Sequence, residues 1–154
     1  MEYFRRAYDL GELLAANELG NMFRYGRGVK IDLERAAQWY RAGADRGDAD
    51  AQNNLGSLYA LGQGLERDDV RAVEFYRRAA DRNHPGALFN LAFMYENGRG
   101  VSRDVAFALS LYTRAAALED KSAMASVSRL QERVQIKPVR VAPTRGARKS
   151  RGRR

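Results

Sequence analysis

The chain carries one histidine, His84, and no cysteine. Nucleophilic hydrolysis needs a Ser or Cys relayed through a His to an acid, and a metal centre needs His, Cys or carboxylates at ligand spacing. Neither pattern is present. His84 stands before Pro85, a pair that suits the start of a helix better than a general base. Asp68–Asp69 reads as a helix cap and its neighbour rather than as an acid–base pair. Three Gly-x-Gly steps, Gly26/Gly28, Gly62/Gly64 and Gly98/Gly100, invite a phosphate-loop reading. That loop needs a strand before it and a helix directly after it, whereas here each step follows apolar residues at helical spacing. A turn is the expectation, and neither catalysis nor a cofactor is supported.

Charge gives a second kind of chemistry. Residues 137–154 hold eight basic residues and no acid: Lys137, Arg140, Arg145, Arg148, Lys149, Arg151, Arg153 and Arg154. The preceding 136 residues hold nineteen of each sign, so the net charge of +8 lies in this segment. Such a run is either a solvated disordered extension or an electrostatic arm for nucleic acid or another polyanion. It lacks aromatics to stack on bases and an apolar face for a bilayer, so any binding is expected to be salt-sensitive and blind to sequence.

What must position these residues is a repeat. Ala15–Gly28, Ala51–Gly64 and Ala87–Gly100 align without gaps at a period of 36 residues, the signature of a stacked array. Leu88, Leu91, Ala92 and Tyr95 fall at i, i+3, i+4 and i+7, one stripe of an amphipathic helix. Gly20, Gly56 and Ala92 share a column, and a mid-helix Gly costs about 1 kcal/mol against Ala. A larger side chain there is expected to hold a neighbouring helix away. This first helix stops at Gly26, Gly62 or Gly98. A second helix opens at Asp32, Asp68 or Asp104, each an N-cap residue. Its stripe reads Ala36, Trp39, Tyr40, Gly43 and Ala44 in the first copy. Asp48, His84 and Asp120 then cap the next first-type helix. Neither helix of a pair can bury its stripe alone, so the pairs must stack.

The order of Ala51, Leu55, Gly56, Tyr59, Gly62, Gly64, Leu65, Asp68, Ala72, Phe75, Tyr76, Ala79 and Ala80 resembles the Sel-one-like repeat, a relative of the tetratricopeptide repeat. The resemblance covers about residues 15–122. It implies an all-α, right-handed α-solenoid of antiparallel helix pairs, with three 36-residue repeats over 15–50, 51–86 and 87–122. Residues 1–14 match the back half of a second-type helix and read as an N-terminal cap. Residues 123–136 begin a fourth first-type helix, a C-terminal cap, and 137–154 form a basic tail. The first 14 residues lack the apolar run of a signal peptide, and no segment approaches the length of a membrane span. The absence of cysteine suits the cytosol, which is the expected location.

The resemblance also implies a function. Such arrays act mostly as scaffolds or adaptors for other proteins, while some members are reported to act on cell-wall-like or β-lactam substrates. In tetratricopeptide-like arrays the first-type helices line the concave face. That analogy places Asn17, Asn21 and Arg24, then Asn53 and Ser57, then Phe89, Phe93 and Glu96, and finally Arg129 on the partner-binding surface. Asparagines there can bond a peptide backbone and the two phenylalanines can anchor an apolar side chain, unless they pack against the capping helix instead. The expected protein is a non-enzymatic holder of a protein or peptide.

Overall fold

In the computed structural model, which describes residues 2–11 and 14–135, eight helices follow one another. They are α1 (Glu2–Asp9), α2 (Ala15–Tyr25), α3 (Leu33–Asp45), α4 (Ala49–Leu61), α5 (Asp69–Ala80), α6 (Pro85–Asn97), α7 (Val105–Ala116) and α8 (Lys121–Gln135). The pairs α2–α3, α4–α5 and α6–α7 are the three copies, and each second helix also packs on the first helix of the next pair. No strand occurs among the described residues.

The local signals act where the spacing puts them. Asp32, Asp68 and Asp104 are extended N-cap residues whose carboxylates accept from Arg35, Arg71 and Phe107 amides, each at 2.9 Å. Asp48 and His84 cap α4 and α6, and the Asp120 carboxylate accepts from the Ala123 amide at 2.8 Å. Gly26, Gly62 and Gly98 end the first-type helices in the left-handed conformation, with φ of 67°, 66° and 67°, a conformation that glycine adopts without a Cβ penalty. Val29, Leu65 and Val101 then tuck the turn against the core.

The small-residue column works inside each pair. The ring of Tyr40 lies directly over Gly20, and a Cβ on Gly56 would stand 2.8 Å from the ring of Tyr76. In the first two repeats the neighbour that a Cβ would press on is therefore the tyrosine of the same repeat, while the third carries Ala92 in that column. Tyr40, Tyr76 and Tyr112 are buried at the centre of each layer. Trp39 and Phe75, read from the sequence as part of the buried stripe, are only half-buried against the core's edge, while Leu111 in the same column is buried. The alternation of bulky and tiny residues lets one layer enter the hollows of the next.

α1 has the register of a second-type helix. Gly11 has φ 87°, as Gly47 has 89°, and Tyr8 meets Trp39 edge-on at 5.1 Å. The array is also pinned between layers. Arg99 reaches back to both oxygens of Asp69, at 2.6 and 3.1 Å, and to the Ala60 carbonyl at 2.9 Å. With Arg67 also beside it, the Asp69 carboxyl is held well below the usual carboxylate range.

Candidate partner-binding face

α2, α4, α6 and α8 are the first-type helices, and their shared surface is the face on which the resemblance puts a ligand. Two amide–amide bonds run along it. Asn54 Nδ2 donates to Asn17 Oδ1 at 2.9 Å, and Asn90 Nδ2 donates to Asn53 Oδ1 at 2.9 Å. Each joins one repeat to the next through residues 37 apart. Asn17 is 7% exposed, so its side chain is a structural strut more than an open contact. Asn53 is half-buried, with its acceptor end already engaged.

A second set of bonds runs from the tyrosine column to the same face. Tyr40 donates to Asn21 Oδ1 at 2.8 Å and Tyr76 to Ser57 Oγ at 3.3 Å, both across nineteen residues. In the third repeat that column holds Phe93, which cannot accept. Tyr112 donates instead to Glu96 Oε2, one turn further on, at 3.0 Å. Burial pushes the Tyr40 hydroxyl up to about 12 and raises those of Tyr76 and Tyr112 as well. All three stay protonated donors at neutral pH.

Glu96 and Arg129 meet each other. Arg129 binds the carboxylate through both terminal nitrogens, at 2.6 and 2.9 Å, the bidentate geometry that favours Arg at such pairs. Arg129, and then the Tyr112 hydroxyl, lower the Glu96 carboxyl against the opposing effect of burial. The pair closes the α8 end of the face. Arg24, half-buried, lies near the Tyr25 ring with 5.4 Å to its centroid.

The two phenylalanines separate. Phe89 is half-buried and tilts against the Tyr112 ring at 5.3 Å, so it packs on the second helix of its own repeat. Phe93 is 42% exposed. It borders a pocket of about 180 Å³ between the second and third repeats, together with Ser57, Leu61, Tyr76, Asn90 and Arg99. Leu61 is itself 59% exposed. The basic residues Lys137 to Arg154 lie outside the described residues.

The sequence reading missed Asn54, Asn90 and Leu61. The signal was available in part: Glu18, Asn54 and Asn90 form a polar column directly after the one that was chosen. Among the described residues no three of His, Cys, Asp and Glu come together as ligands for a metal ion. No described helix is long and apolar enough to cross a membrane.

A family model, the Sel1 repeat, matches residues 1–12, 13–48, 49–84 and 85–120. Its frame starts two residues before the one drawn from the Ala-x-x-x-Leu-Gly columns. Among solved structures, a protective antigen of uropathogenic Escherichia coli strains displaying an SLR fold superposes with a TM-score of 0.84 at 31% identity. It covers 87% of this chain, which spans 29% of that one. A Sel1 repeat protein from Oxalobacter formigenes gives 0.75 at 35% identity, over 80% of this chain and 51% of that one. The cysteine-rich protein B of Helicobacter pylori gives 0.64 at 20% identity, over 80% and 93%, a likeness of fold alone. No curated protein matches the chain. The repeat columns, the helix pairs and these matches agree: the chain belongs to the Sel1 repeat family.

Proposed function

We propose that the array is a non-enzymatic scaffold that holds an extended segment of another protein along the face of its first-type helices. The observation that supports this reading is the row of side chains fixed before any partner arrives. Asn17–Asn54 and Asn53–Asn90 lock successive repeats, and the tyrosine hydroxyls lock Asn21, Ser57 and Glu96. A row already ordered by folding loses little side-chain entropy on docking. The half-buried Asn53, Asn54 and Asn90 each use one end of the amide in these bonds, which leaves the other end for a peptide backbone, and Phe93 with Leu61 offers an apolar seat for one side chain. Antigens and repeat proteins with this fold occur among its relatives, and partner binding is the use that such arrays favour.

The test is capture of a partner by the full chain against Phe93→Ala and the double substitution Phe89→Ala with Phe93→Ala. Phe93 is exposed enough that its loss leaves the fold intact, so capture should fall by tenfold or more, about 1.4 kcal/mol, with an unchanged thermal melt. Undiminished capture by a folded double variant removes this face from consideration. Turnover of a β-lactam or cell-wall-like substrate by the wild-type chain would refute the non-enzymatic part.

The charge asymmetry supports a second role. Residues 137–154 carry the whole net charge and attach the array to a polyanion such as nucleic acid, in a cytosolic setting. Binding should fall steeply with salt and vanish when the chain ends at Ile136.

A further inference from the structure

The first repeat holds a pocket whose counterpart in the second repeat is crossed by hydrogen bonds. Arg5, Arg41 and Arg77 share one column of the 36-residue period, and Phe23, Tyr59 and Tyr95 share another. In the later layers the two columns bond. Arg41 donates to the Tyr59 hydroxyl at 2.6 Å and Arg77 to the Tyr95 hydroxyl at 2.9 Å. Arg71 also reaches the Tyr59 hydroxyl, at 3.2 Å. Phe23 has no hydroxyl to offer, so the acceptor that this arginine column uses is missing for Arg5. Among the described residues Arg5 forms no ion pair either.

The pocket measures about 380 Å³ and is lined by Arg5, Leu19, Phe23, Arg35, Gln38 and Trp39, a size within the range of small-molecule sites. Its walls belong to α1, α2 and α3. One repeat on, α3, α4 and α5 stand in the same relation, so the difference lies in the side chains. The charge of the lining has one sign, with two arginines and no carboxylate. The second repeat instead sets Glu74 in the column of Gln38, and Glu66 and Asp68 line its corresponding pocket. Asp32 holds Arg35 from outside the lining, at 3.2 Å from Nε, and the Arg35 guanidinium lies 5.6 Å from the centroid of the Phe23 ring. With Asp32 offsetting Arg35, the charge left to balance is that of Arg5. Leu19 and Phe23, both buried, and the half-buried Trp39 supply the apolar wall.

We propose that this pocket binds a small organic monoanion, a carboxylate joined to an aromatic body. The carboxylate takes the fork of the Arg5 guanidinium, the bidentate geometry that arginine offers, with the terminal nitrogens of Arg35 beside it. The ring lies against Phe23 and Trp39, where aromatic contact adds to the area buried. A single negative charge matches the one unbalanced arginine, and the aromatic walls select the body. The pocket shares no residue with the asparagine row or the Phe93 seat and draws nothing from residues 137–154. It stands or falls apart from both roles proposed above.

Trp39 is the only tryptophan of the chain, so its indole N–H gives one nuclear magnetic resonance signal that reports on this pocket and not on anions held by the basic segment. Benzoate titrated into the full chain should move that signal saturably, with a Kd of about 1 mM or tighter, the range open to a ligand of its size. Benzamide keeps the ring without the charge, and acetate keeps the charge without the ring. Each should bind about tenfold more weakly or worse, and Arg5→Gln should weaken benzoate by about as much. Phe23→Tyr supplies the hydroxyl of the later repeats, so it should engage Arg5 and abolish binding, with a thermal melt like that of the wild type. No saturable movement of the wild-type signal by about 20 mM benzoate overturns the proposal. So does benzoate binding that both variants keep, or acetate binding as tight as benzoate binding, which leaves only attraction between surface charges.

Discussion

Replacing Gly56 by alanine sets two physical effects against each other at one site. In an isolated helix the change should stabilise by about 1 kcal/mol, the propensity difference between Gly and Ala. In the array the new Cβ would lie 2.8 Å from two ring carbons of Tyr76 and 3.2 Å from the Ala72 carbonyl oxygen. The ring has little freedom to move. Tyr76 is 4% exposed and its hydroxyl donates to Ser57. Relief must come from separating α4 and α5, which is overpacking and costs about 1–3 kcal/mol, occasionally more. Against the gain of propensity, the net expectation is a loss of up to about 2 kcal/mol. Urea unfolding followed by helical circular dichroism reads this as a lower midpoint at unchanged slope. The reciprocal change, Ala92→Gly, removes a fully buried methyl from the same column. It should lose about 1 kcal/mol through propensity, plus the lost packing. If Gly56→Ala raised the midpoint, the close approach of the tyrosine would not be what selects glycine, and the account of layer packing would fail with it.

Glu119 occupies the column of Gly47 and Asn83 with φ 64°, where a residue with a Cβ is disfavoured by about 1–2 kcal/mol. Glu119→Gly should therefore raise stability by about 1 kcal/mol, once glycine's larger unfolded-state entropy is subtracted, and an unchanged thermal midpoint would count against it. Asp48 is buried, its Oδ2 has no partner, and burial raises its carboxyl. Asp48→Asn keeps an Oδ1 to accept from the Asp50 and Ala51 amides while removing the buried charge, so stability at pH 7 should rise, and a fall in the urea midpoint would refute this. Glu96 and Asp69 have the opposite sign, because arginine partners hold both carboxyls below the ordinary range. Their contribution is complete above about pH 5 and drains as pH falls through their lowered values. Glu96→Gln with Asp69→Asn should flatten the acid limb of the stability curve, and a limb of undiminished steepness would place the acid sensitivity elsewhere.

The helices, caps and turns were legible because each depends on residues close in sequence. Asp32 answers to the Arg35 amide and Gly62 to its own φ, so a 36-residue period repeats them faithfully. The polar row was less legible because it couples two columns. Asn17 pairs with Asn54 and Asn53 with Asn90, and a search for identical columns sets 17 beside 53 instead. Phe89 sits on the ridge by its spacing and is half-buried against the Tyr112 ring, a packing that depends on a residue of another helix and so is not written in its own column. Phe93 shows what such departures do. It replaces the acceptor that Asn21 and Ser57 supply in the earlier copies, so the Tyr112 hydroxyl moves one turn along to Glu96, and Glu96 engages Arg129. One apolar substitution thus redirects a tyrosine, fixes an ion pair at the end of the face and leaves an aromatic ring open beside Leu61. The column that breaks the polar repeat is thus also the one that leaves Phe93 exposed beside Leu61, which is why the proposed partner-binding reading is tested there.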